Sequence, residues 1–186
     1  MVTLSYQETV EKWGIFEVSC MGPEEGNPFT EQWVRATFVC PGEKKTVNGF
    51  YDGSGRYIVR FMPSFEGEYS FAVETSFFEE KREGKFQVTK QQEGNHGPVR
   101  VAGTYHMAYE DGTPYYSLGT TCYVWELQSD ERIAQTLESL EEAGFNKIRF
   151  CIFPKHYAYN LKNPSSFPYE GTPMDCSVLN VDNFWG

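Results

Sequence analysis

The sequence lacks the features that are typical of membrane and nucleic-acid-binding proteins. No apolar run is long enough to cross a bilayer, and the first residues, MVTLSYQETVEK, lack the apolar core of a secretory signal peptide. We therefore expect a cytoplasmic protein with no membrane partner. Positive charge is also scarce, because 16 Lys and Arg residues stand against 26 Asp and Glu residues and the net charge is −10. Since phosphate binding needs clustered Lys and Arg, we expect no nucleic-acid partner.

Metal-binding and redox motifs are missing as well. The five cysteines show no C-x-x-C spacing, and the three histidines supply no H-E-x-x-H pattern. An odd number of irregularly spaced cysteines is typical of free thiols in a reducing compartment, although Cys20 and Cys40 could pair in an extracellular sandwich. We expect no metal site and no cofactor.

Apolar residues, by contrast, are plentiful. Forty per cent of the chain is hydrophobic, and the 15 Phe, 12 Tyr and 4 Trp residues can fill a core. From residue 13 to about residue 90, apolar and other residues alternate in short segments with a period of two, which is typical of half-buried strands. The residues that share a strand face at this spacing are Val34, Ala36 and Phe38, and then Tyr69, Phe71 and Val73.

Turn signals separate these segments. The run Asp52-Gly53-Ser54-Gly55 supplies residues that accept a positive φ at a tight hairpin. Similar signals recur roughly every 8–12 residues, which is typical of a β-sandwich of immunoglobulin-like or jelly-roll kind. We adopt the immunoglobulin-like form for residues 1–95.

The pattern changes after residues 91–98, QQEGNHGP, which are typical of a linker. Two β-runs then surround an Asp111-Gly112 turn. A helix is predicted to begin after Ser129 as its N-cap and to stop at Gly144, with apolar residues at helical spacing between them. The next segment, FNKIRFCIFP, is a second predicted strand. A strand, helix and strand with short connections predict a right-handed βαβ unit and the start of a parallel sheet, whereas residues 155–186 predict a long loop.

Several short motifs follow one another along nearly the whole chain. In the first part these are Asn27-Pro28-Phe29, Gly49-Phe50-Tyr51-Asp52-Gly53 and Arg60-Phe61-x-Pro63. In the second part they are Asp111-Gly112-Thr113-Pro114, Leu118-Gly119-Thr120-Thr121, Trp125, Asn146-Lys147-x-Arg149 and Phe153-Pro154-Lys155-His156. Their order resembles the N-terminal part of a group of bacterial glycoside hydrolases. In that group, a small β-sandwich of unassigned role precedes a (β/α)8 barrel related to cellulase-like and apiosidase-like enzymes.

The resemblance implies a mainly β chain with two parts. Residues 1–95 would be the sandwich, and residues 96–186 the first βαβ portion of a truncated barrel, with LGTTCYVW and KIRFCIFP as its first two strands. Barrel enzymes carry their chemistry at the carboxyl ends of the strands. The candidate sugar-binding residues at that rim are Thr121, Tyr123, Trp125, Arg149, Lys155, His156 and Tyr157.

Structural roles remain open for some of these residues. Trp125 could equally be a packing aromatic, and His156 an ordinary loop histidine without a base or metal partner. Arg149 could orient a carboxylate through a bidentate hydrogen bond, or simply form a structural ion pair.

The length of the second part limits what the chain can do. A (β/α)8 barrel takes roughly 200–250 residues, and residues 96–186 supply less than half of that. The resemblance implies that the two carboxylates of glycoside hydrolysis follow strands four and seven, which lie beyond this sequence. The acidic residues of the last segment, Glu170, Asp175 and Asp182, match no carboxylate motif. We therefore expect no catalytic residue in this chain and no hydrolysis by the chain alone.

The expected function is that of a glycoside hydrolase fragment. The intact parent would cleave an oligosaccharide or polysaccharide, and a second copy or a complementing chain could cover the open barrel edges. One alternative is a carbohydrate-binding module that uses exposed aromatics such as Phe50, Tyr51 or Tyr57. Another is a structural or dimerisation domain. We favour a bracing role for the sandwich, since its aromatic residues are adequately explained as core.

Overall fold

The computed structural model describes residues 3–125, 128–151 and 169. Close contacts divide the chain into two units, residues 1–115 and residues 116–186. Within the described parts of the chain, no helix has both the length and the apolar character that a membrane span requires.

The first unit is almost entirely β-structure, as predicted. Its elements are β1 (Ser5–Tyr6), β2 (Thr9–Glu11), β3 (Phe16–Met21), α1 (Pro28–Glu31), β4 (Val34–Cys40), β5 (Glu43–Asn48), β6 (Phe50–Tyr51), β7 (Arg56–Phe61), β8 (Gly67–Thr75), β9 (Arg82–Thr89), β10 (Val99–Ala102) and β11 (His106–Tyr109).

Two sheets share these strands. One has the order β1-β3-β7-β6, and the other has the order β2-β9-β8-β4-β5. Neighbours are antiparallel except for β2, which runs parallel to β9. The chain therefore enters the first sheet at one edge through β1 and the second sheet at one edge through β2.

The core lies between the two sheets and is rich in aromatic rings. Phe16 of β3 stacks on Phe86 of β9 with ring centroids 3.7 Å apart, and Phe38 of β4 stacks on Phe61 of β7 at 4.1 Å. All four side chains are buried. Burial of a side chain of this kind contributes about 1.5–3 kcal/mol, so the two sheets are held together face to face as a β-sandwich.

The alternation seen in the sequence determines which side chains enter this core. Tyr69, Phe71 and Val73 of β8 all point inward and are buried, as their period of two predicts. The turn between β6 and β7 is also as predicted, since Ser54 and its flanking Gly53 and Gly55 have positive φ angles of 45°, 82° and 69°.

The turn expected at Asp111-Gly112 forms, but another hairpin precedes it. Beyond Asp111-Gly112 the chain turns back on β11, where Pro114 makes an antiparallel bridge to Ala108 and the N–H of Tyr109 donates to the carbonyl of Thr113 at 2.8 Å. The first predicted β-run is itself divided into β10 and β11, which pair with each other, and Gly103 has a φ of 64° in the connecting turn. The sequence prediction missed this additional turn because Gly103 is not accompanied by a second turn residue.

The predicted linker is attached to the sandwich. The amide of Asn95 donates to the carbonyl of Lys12 at 3.3 Å, and the backbone N–H of Gln92 donates to the carboxylate of Glu11. These contacts, together with the β10–β11 hairpin, fall within the first compact unit, which extends to Tyr115. The domain limits 1–95 and 96–186 stay a prediction.

The second unit contains the predicted strand–helix–strand order. Its elements are β12 (Gly119–Thr121), α2 (Asp130–Glu142) and β13 (Lys147–Arg149), and β12 is parallel to β13. The hydroxyl of Ser129 accepts the N–H of Arg132 at the helix start, as expected for an N-cap. Gly144 follows the helix with a φ of 70°, as expected for a C-terminal stop.

This second unit has no core among its described residues. No side chain described between Tyr116 and Cys151 is buried, and α2 contributes no buried residue. Leu137, on the predicted apolar face of α2, is 49% exposed. Within the described residues, β12 and β13 pair only with each other. Among these residues, nothing therefore covers the helix face or pairs with the outer strand edges.

Candidate functional site

An open cavity of about 740 Å³ lies at the carboxyl end of β12, in the second unit. It is lined by side chains from the β12–α2 connection and from the first turns of α2, among them Thr121, Tyr123, Trp125, Gln128, Arg132 and Thr136. A mixture of aromatic rings, hydroxyls, an amide and a guanidinium is suited to a polar ligand with apolar faces.

Backbone hydrogen bonds to β13 and its continuation fix the aromatic side of this cavity. The N–H of Cys122 donates to the carbonyl of Arg149 at 2.9 Å, and the N–H of Cys151 donates to the carbonyl of Tyr123 at 3.0 Å. The chain after β12 thus stays beside the chain after β13. Trp125 follows in the next turn, with its ring 5.9 Å from that of Phe150 in an edge-to-face contact.

Trp125 has both structural and ligand-binding features. Its contact with Phe150 is that of a packing aromatic. Its indole N–H, however, is buried and has no hydrogen-bond partner among the residues that the structure describes. Because a buried donor without a partner is costly, a ligand oxygen at this position would be favoured.

The helical side of the cavity was missed from the sequence. Arg132 and Thr136, four residues apart, lie on one face of α2, and Gln128 lies in the connection just before the N-cap of that helix. The amide of Gln128 donates to the carbonyl of Val124 at 3.0 Å, and the hydroxyl of Thr136 donates to the carbonyl of Arg132 at 2.7 Å. The i, i+4, i+8 spacing of three polar residues was the signal available in the sequence.

Arg149 lies beside the same group of residues. Its guanidinium is 5.6 Å from the centroid of the Tyr123 ring, a cation–π contact. Within residues 3–125, 128–151 and 169, Arg149 forms no ion pair, so the structural ion-pair alternative is not supported there. The structure thus brings four of the seven candidate residues to one region, namely Thr121, Tyr123, Trp125 and Arg149. The other three, Lys155, His156 and Tyr157, lie outside the described residues.

A carbohydrate-binding role of the sandwich through Phe50, Tyr51 or Tyr57 requires these side chains to be exposed, and they are not. Tyr51 and Tyr57 are only 8% and 1% exposed, so the expectation that they are exposed was wrong. Their hydroxyls explain the burial, because Tyr57 donates to the carbonyl of Pro23 at 2.7 Å and Tyr51 accepts the N–H of Gly55 at 3.1 Å. Phe50 is half-buried, with the guanidinium of Arg60 5.0 Å from its ring centroid.

Asp111 and Cys20 are two of the titratable groups outside the cavity whose pKa values are clearly perturbed. The backbone N–H of Thr113 and the ring of His96, both bonded to the Asp111 carboxylate, lower the pKa of Asp111 to about 2. Burial raises the pKa of the Cys20 thiol to about 11. Asp111 stabilises a turn and Cys20 lies in the core, so neither group indicates catalysis.

The sandwich matches one known family in part. Residues 9–76 match a domain of unknown function, DUF5060. This region runs from β2 to the residue after β8, so the match covers most of the two sheets and none of the second unit. No curated protein matches the chain.

One solved structure is similar over most of the chain. It is a putative glycoside hydrolase from Bacteroides vulgatus ATCC 8482, with 44% identity and a TM-score of 0.82 over 88% of this chain. This chain spans 32% of that protein. Because the identity and the structural agreement are both high, the described fold is that of the corresponding part of the Bacteroides protein.

Two further structures show little similarity. A superoxide reductase (neelaredoxin) from Ignicoccus hospitalis is 12% identical, with 47% of this chain and 80% of that chain covered and a TM-score of 0.31. A putative beta-galactosidase from Bacteroides fragilis is 14% identical, with 84% of this chain and 25% of that chain covered and a TM-score of 0.31. Neither likeness is strong enough to support an inference about this chain.

Proposed function

We propose that this chain is the N-terminal portion of a glycoside hydrolase whose sandwich is an accessory or bracing domain. The observation that carries the proposal is the similarity to the Bacteroides putative glycoside hydrolase, at 44% identity over 88% of this chain. Since this chain spans only 32% of that protein, the hydrolytic activity belongs to the longer parent.

The described part of the second unit supports this proposal. Its one helix and two parallel strands have no buried side chain among the described residues, and such a set of elements does not form a stable core alone. Further strands and helices of a (β/α)8 barrel would cover the apolar face of α2 and pair with the free strand edges. The cavity at the carboxyl end of β12 would then be on the rim where barrel enzymes bind their substrates.

In the proposed parent, this portion of the rim binds sugar without performing the bond cleavage. Tyr123 and Trp125 would offer apolar ring faces, and the unpartnered indole N–H would donate to a sugar oxygen. Arg149 would hydrogen-bond to hydroxyls or orient a carboxylate. Lys155, His156 and Tyr157 would extend the same rim. The acid and the base or nucleophile would come from later strands, so the chain alone would be inactive.

The finer features of the proposal follow from the same resemblance. The sandwich would be immunoglobulin-like, and the barrel would be related to cellulase-like and apiosidase-like enzymes. The substrate would be an oligosaccharide or polysaccharide. A cytoplasmic location is a separate proposal, which does not rest on the resemblance. A second copy or a complementing chain is the proposed partner wherever the second unit exists without the rest of the barrel.

The test compares the chain with its longer gene product. Sequencing of the DNA that flanks the coding region should reveal a continuous frame with further βα segments. That full product and the 186-residue chain are assayed side by side for release of reducing ends from neutral oligosaccharides and polysaccharides. We expect hydrolysis by the full product alone. Enzymatic rates from the 186-residue chain, or a flanking sequence without any barrel-like frame, would contradict the proposal.

A further inference from the structure

A second cavity, of about 500 Å³, lies on the sandwich beside α1 and the adjoining ends of β4, β5 and β6. Its volume is in the range of small-molecule sites. The lining residues that matter here are Phe29, Gln32, Trp33, Arg35, Asn48 and Gly49. All of them belong to the first unit and to the region that matches the domain of unknown function.

Two exposed aromatic rings form the apolar part of this cavity. Trp33 is 47% exposed and Phe29 is 39% exposed, although nearby aromatic residues of the sandwich are buried. Phe29 is held edge-to-face against the buried Tyr51 ring, with centroids 5.2 Å apart. Exposed rings grouped at a cavity are more informative than single exposed rings, because exposure of apolar area is tolerated mainly at binding surfaces.

The backbone around Trp33 is fixed before any ligand binds. The N–H of Trp33 donates to the hydroxyl of Ser76 at 3.1 Å, and the N–H of Ser76 donates to the carbonyl of Trp33 at 3.1 Å. The same hydroxyl donates to the amide oxygen of Gln32 at 2.6 Å. A ring and an amide held in this way lose little conformational entropy on binding.

Gly49 lines the cavity and is closely packed against the sandwich. A Cβ at this position would lie 2.2 Å from the carbonyl oxygen of Ile58 and 2.6 Å from a methyl group of Val34. No larger residue fits without movement of the backbone. The backbone of Gly49 is therefore a fixed part of the cavity lining, between Asn48 and Phe50.

The charged lining residue of the cavity is engaged in an ion pair. The Arg35 Nε atom pairs with the Glu74 carboxylate at 2.8 Å, and Lys81 pairs with the same carboxylate. The guanidinium also lies 5.0 Å from the Trp33 ring centroid. Asn48, opposite Arg35 in the β4–β5 pairing, has an exposed amide with no side-chain hydrogen bond among the described residues. An amide offers both donors and acceptors to a neutral ligand.

We infer that this cavity, defined by Phe29, Trp33 and Asn48, is a binding subsite for a neutral sugar residue of a glycan chain. A sugar ring has an apolar face of C–H groups that packs on an indole, and hydroxyls that both donate to and accept from an amide. An uncharged sugar suits these groups, because Trp33 and Asn48 recognise an apolar ring face and hydroxyls rather than a charge. The inference rests on the proposed function for its ligand class, and it gives the sandwich a binding role in addition to bracing.

The test uses the full 186-residue chain in native electrophoresis through gels that contain one polysaccharide each. The neutral probes are hydroxyethylcellulose, xylan, arabinogalactan and agarose, and the acidic probe is polygalacturonate. We expect retardation by at least one neutral probe, with affinity reduced about tenfold or more by Trp33→Ala and less by Asn48→Ala. Tyr105→Ala is the matched control, because Tyr105 is 90% exposed in the β10–β11 turn. Its retardation should equal that of the unchanged chain.

A fluorescence titration distinguishes a loss of glycan binding from misfolding of the Trp33→Ala variant. Addition of the retarding polysaccharide should change the tryptophan emission of the unchanged chain, and Trp33→Phe should remove most of that change while it keeps an aromatic face. No retardation by any neutral probe, retardation that Trp33→Ala leaves unchanged, or binding to polygalacturonate alone would overturn the inference. A halving of the mass in light scattering by Trp33→Ala, without glycan binding, would assign the cavity to a second copy instead.

The outcomes for the inference and for the proposed function are separable. An active parent with a sandwich that binds no neutral glycan would overturn this inference and leave the proposed function intact. Glycan binding through Trp33 in a parent without hydrolytic activity would support this inference and overturn the proposed function.

Discussion

Gly84 offers the sharpest test of how the aromatic core is packed. It lies in β9 directly opposite Phe71 of β8. A Cβ at position 84 would be 2.4 Å from Cζ and 2.8 Å from Cε1 of the Phe71 ring. That ring is 2% exposed and has the Phe16 ring 5.5 Å away on another side. The Phe71 ring therefore has little room to move away from a new methyl group.

Two effects of opposite sign meet in the substitution Gly84→Ala. In a strand interior, replacement of Gly by Ala raises the free energy of unfolding by about 0.5–1 kcal/mol, since Gly loses more conformational freedom on folding. Overpacking of a filled core lowers it by about 1–3 kcal/mol. At a separation of 2.4 Å the overpacking should dominate. We expect a net loss of about 1 kcal/mol, which lowers the melting temperature by roughly 3–6 °C.

The measurement is urea unfolding of the full chain, followed by fluorescence and circular dichroism. Trp13, which is 9% exposed, reports on the sandwich. Phe71→Leu alone should lower the free energy of unfolding by about 1–2 kcal/mol. In that background, Gly84→Ala should be neutral or stabilising, because the ring it would strike is absent. The double-mutant cycle should therefore give a coupling of about 1 kcal/mol.

Gly42→Ala is the matched control for this cycle. Its Cβ would lie 3.0 Å from the ring of Phe65, but that ring is 46% exposed and can turn away. The change in stability should stay within about 0.5 kcal/mol. A Gly84→Ala variant that is more stable than the parent, or effects of Gly84→Ala and Phe71→Leu that are simply additive, would refute this account of the core.

The perturbed pKa values of Asp111 and Cys20 yield further predictions. The folded pKa of Asp111, about 2, is below its ordinary value of 3.8, so the ionised carboxylate stabilises its turn above about pH 4 and this contribution is lost as the pH falls through 2. The amide resonance of Thr113 should follow this titration, and Asp111→Asn should abolish the pH dependence; a midpoint near 4 would contradict the assignment. The Cys20 thiol, with a pKa of about 11 and deep burial, should resist iodoacetamide at pH 8, whereas the partly exposed Cys122 reacts. Mass spectrometry of the alkylated chain checks this, and equal labelling of both thiols in the folded protein would show that Cys20 is accessible.

The local patterns of the sequence predicted most of the secondary structure. Alternation placed Phe71 and its neighbours in β8 on the core side, and Ser129 marked the start of α2. The pairing of β2 with β9 could not be predicted from such local patterns. Parallel pairing of two strands so distant in sequence depends on the whole fold rather than on a local turn. The Gly103 turn was missed because one glycine among polar residues is a weak hairpin signal.

The residues of the candidate sites were predicted less completely than the secondary structure, because a local pattern marks a strand end more clearly than an exposed aromatic side chain. Thr121 is the last residue of β12, and Tyr123 and Trp125 follow it. The rule that chemistry lies at the carboxyl ends of barrel strands was enough to select them. Trp33 was not selected because a tryptophan in a strand-like segment is ordinarily core. Its phase was informative, however, since the inward residues begin at Val34 and Trp33 is one position out of register with them.

The first residues of the chain have a mechanical consequence for the sandwich. β1 and β2, separated by a short connection, form one margin of each sheet and pair with β3 and β9 respectively. Proteolytic removal of the residues up to Lys12 would therefore remove an edge strand from each of the two sheets in a single cleavage. The newly bared main-chain donors and acceptors would then recruit the corresponding segment of a neighbouring molecule. An amino-terminal fusion partner should consequently be separated from Ser5 by a flexible spacer. The spacer leaves β1 and β2 free to pair with β3 and β9.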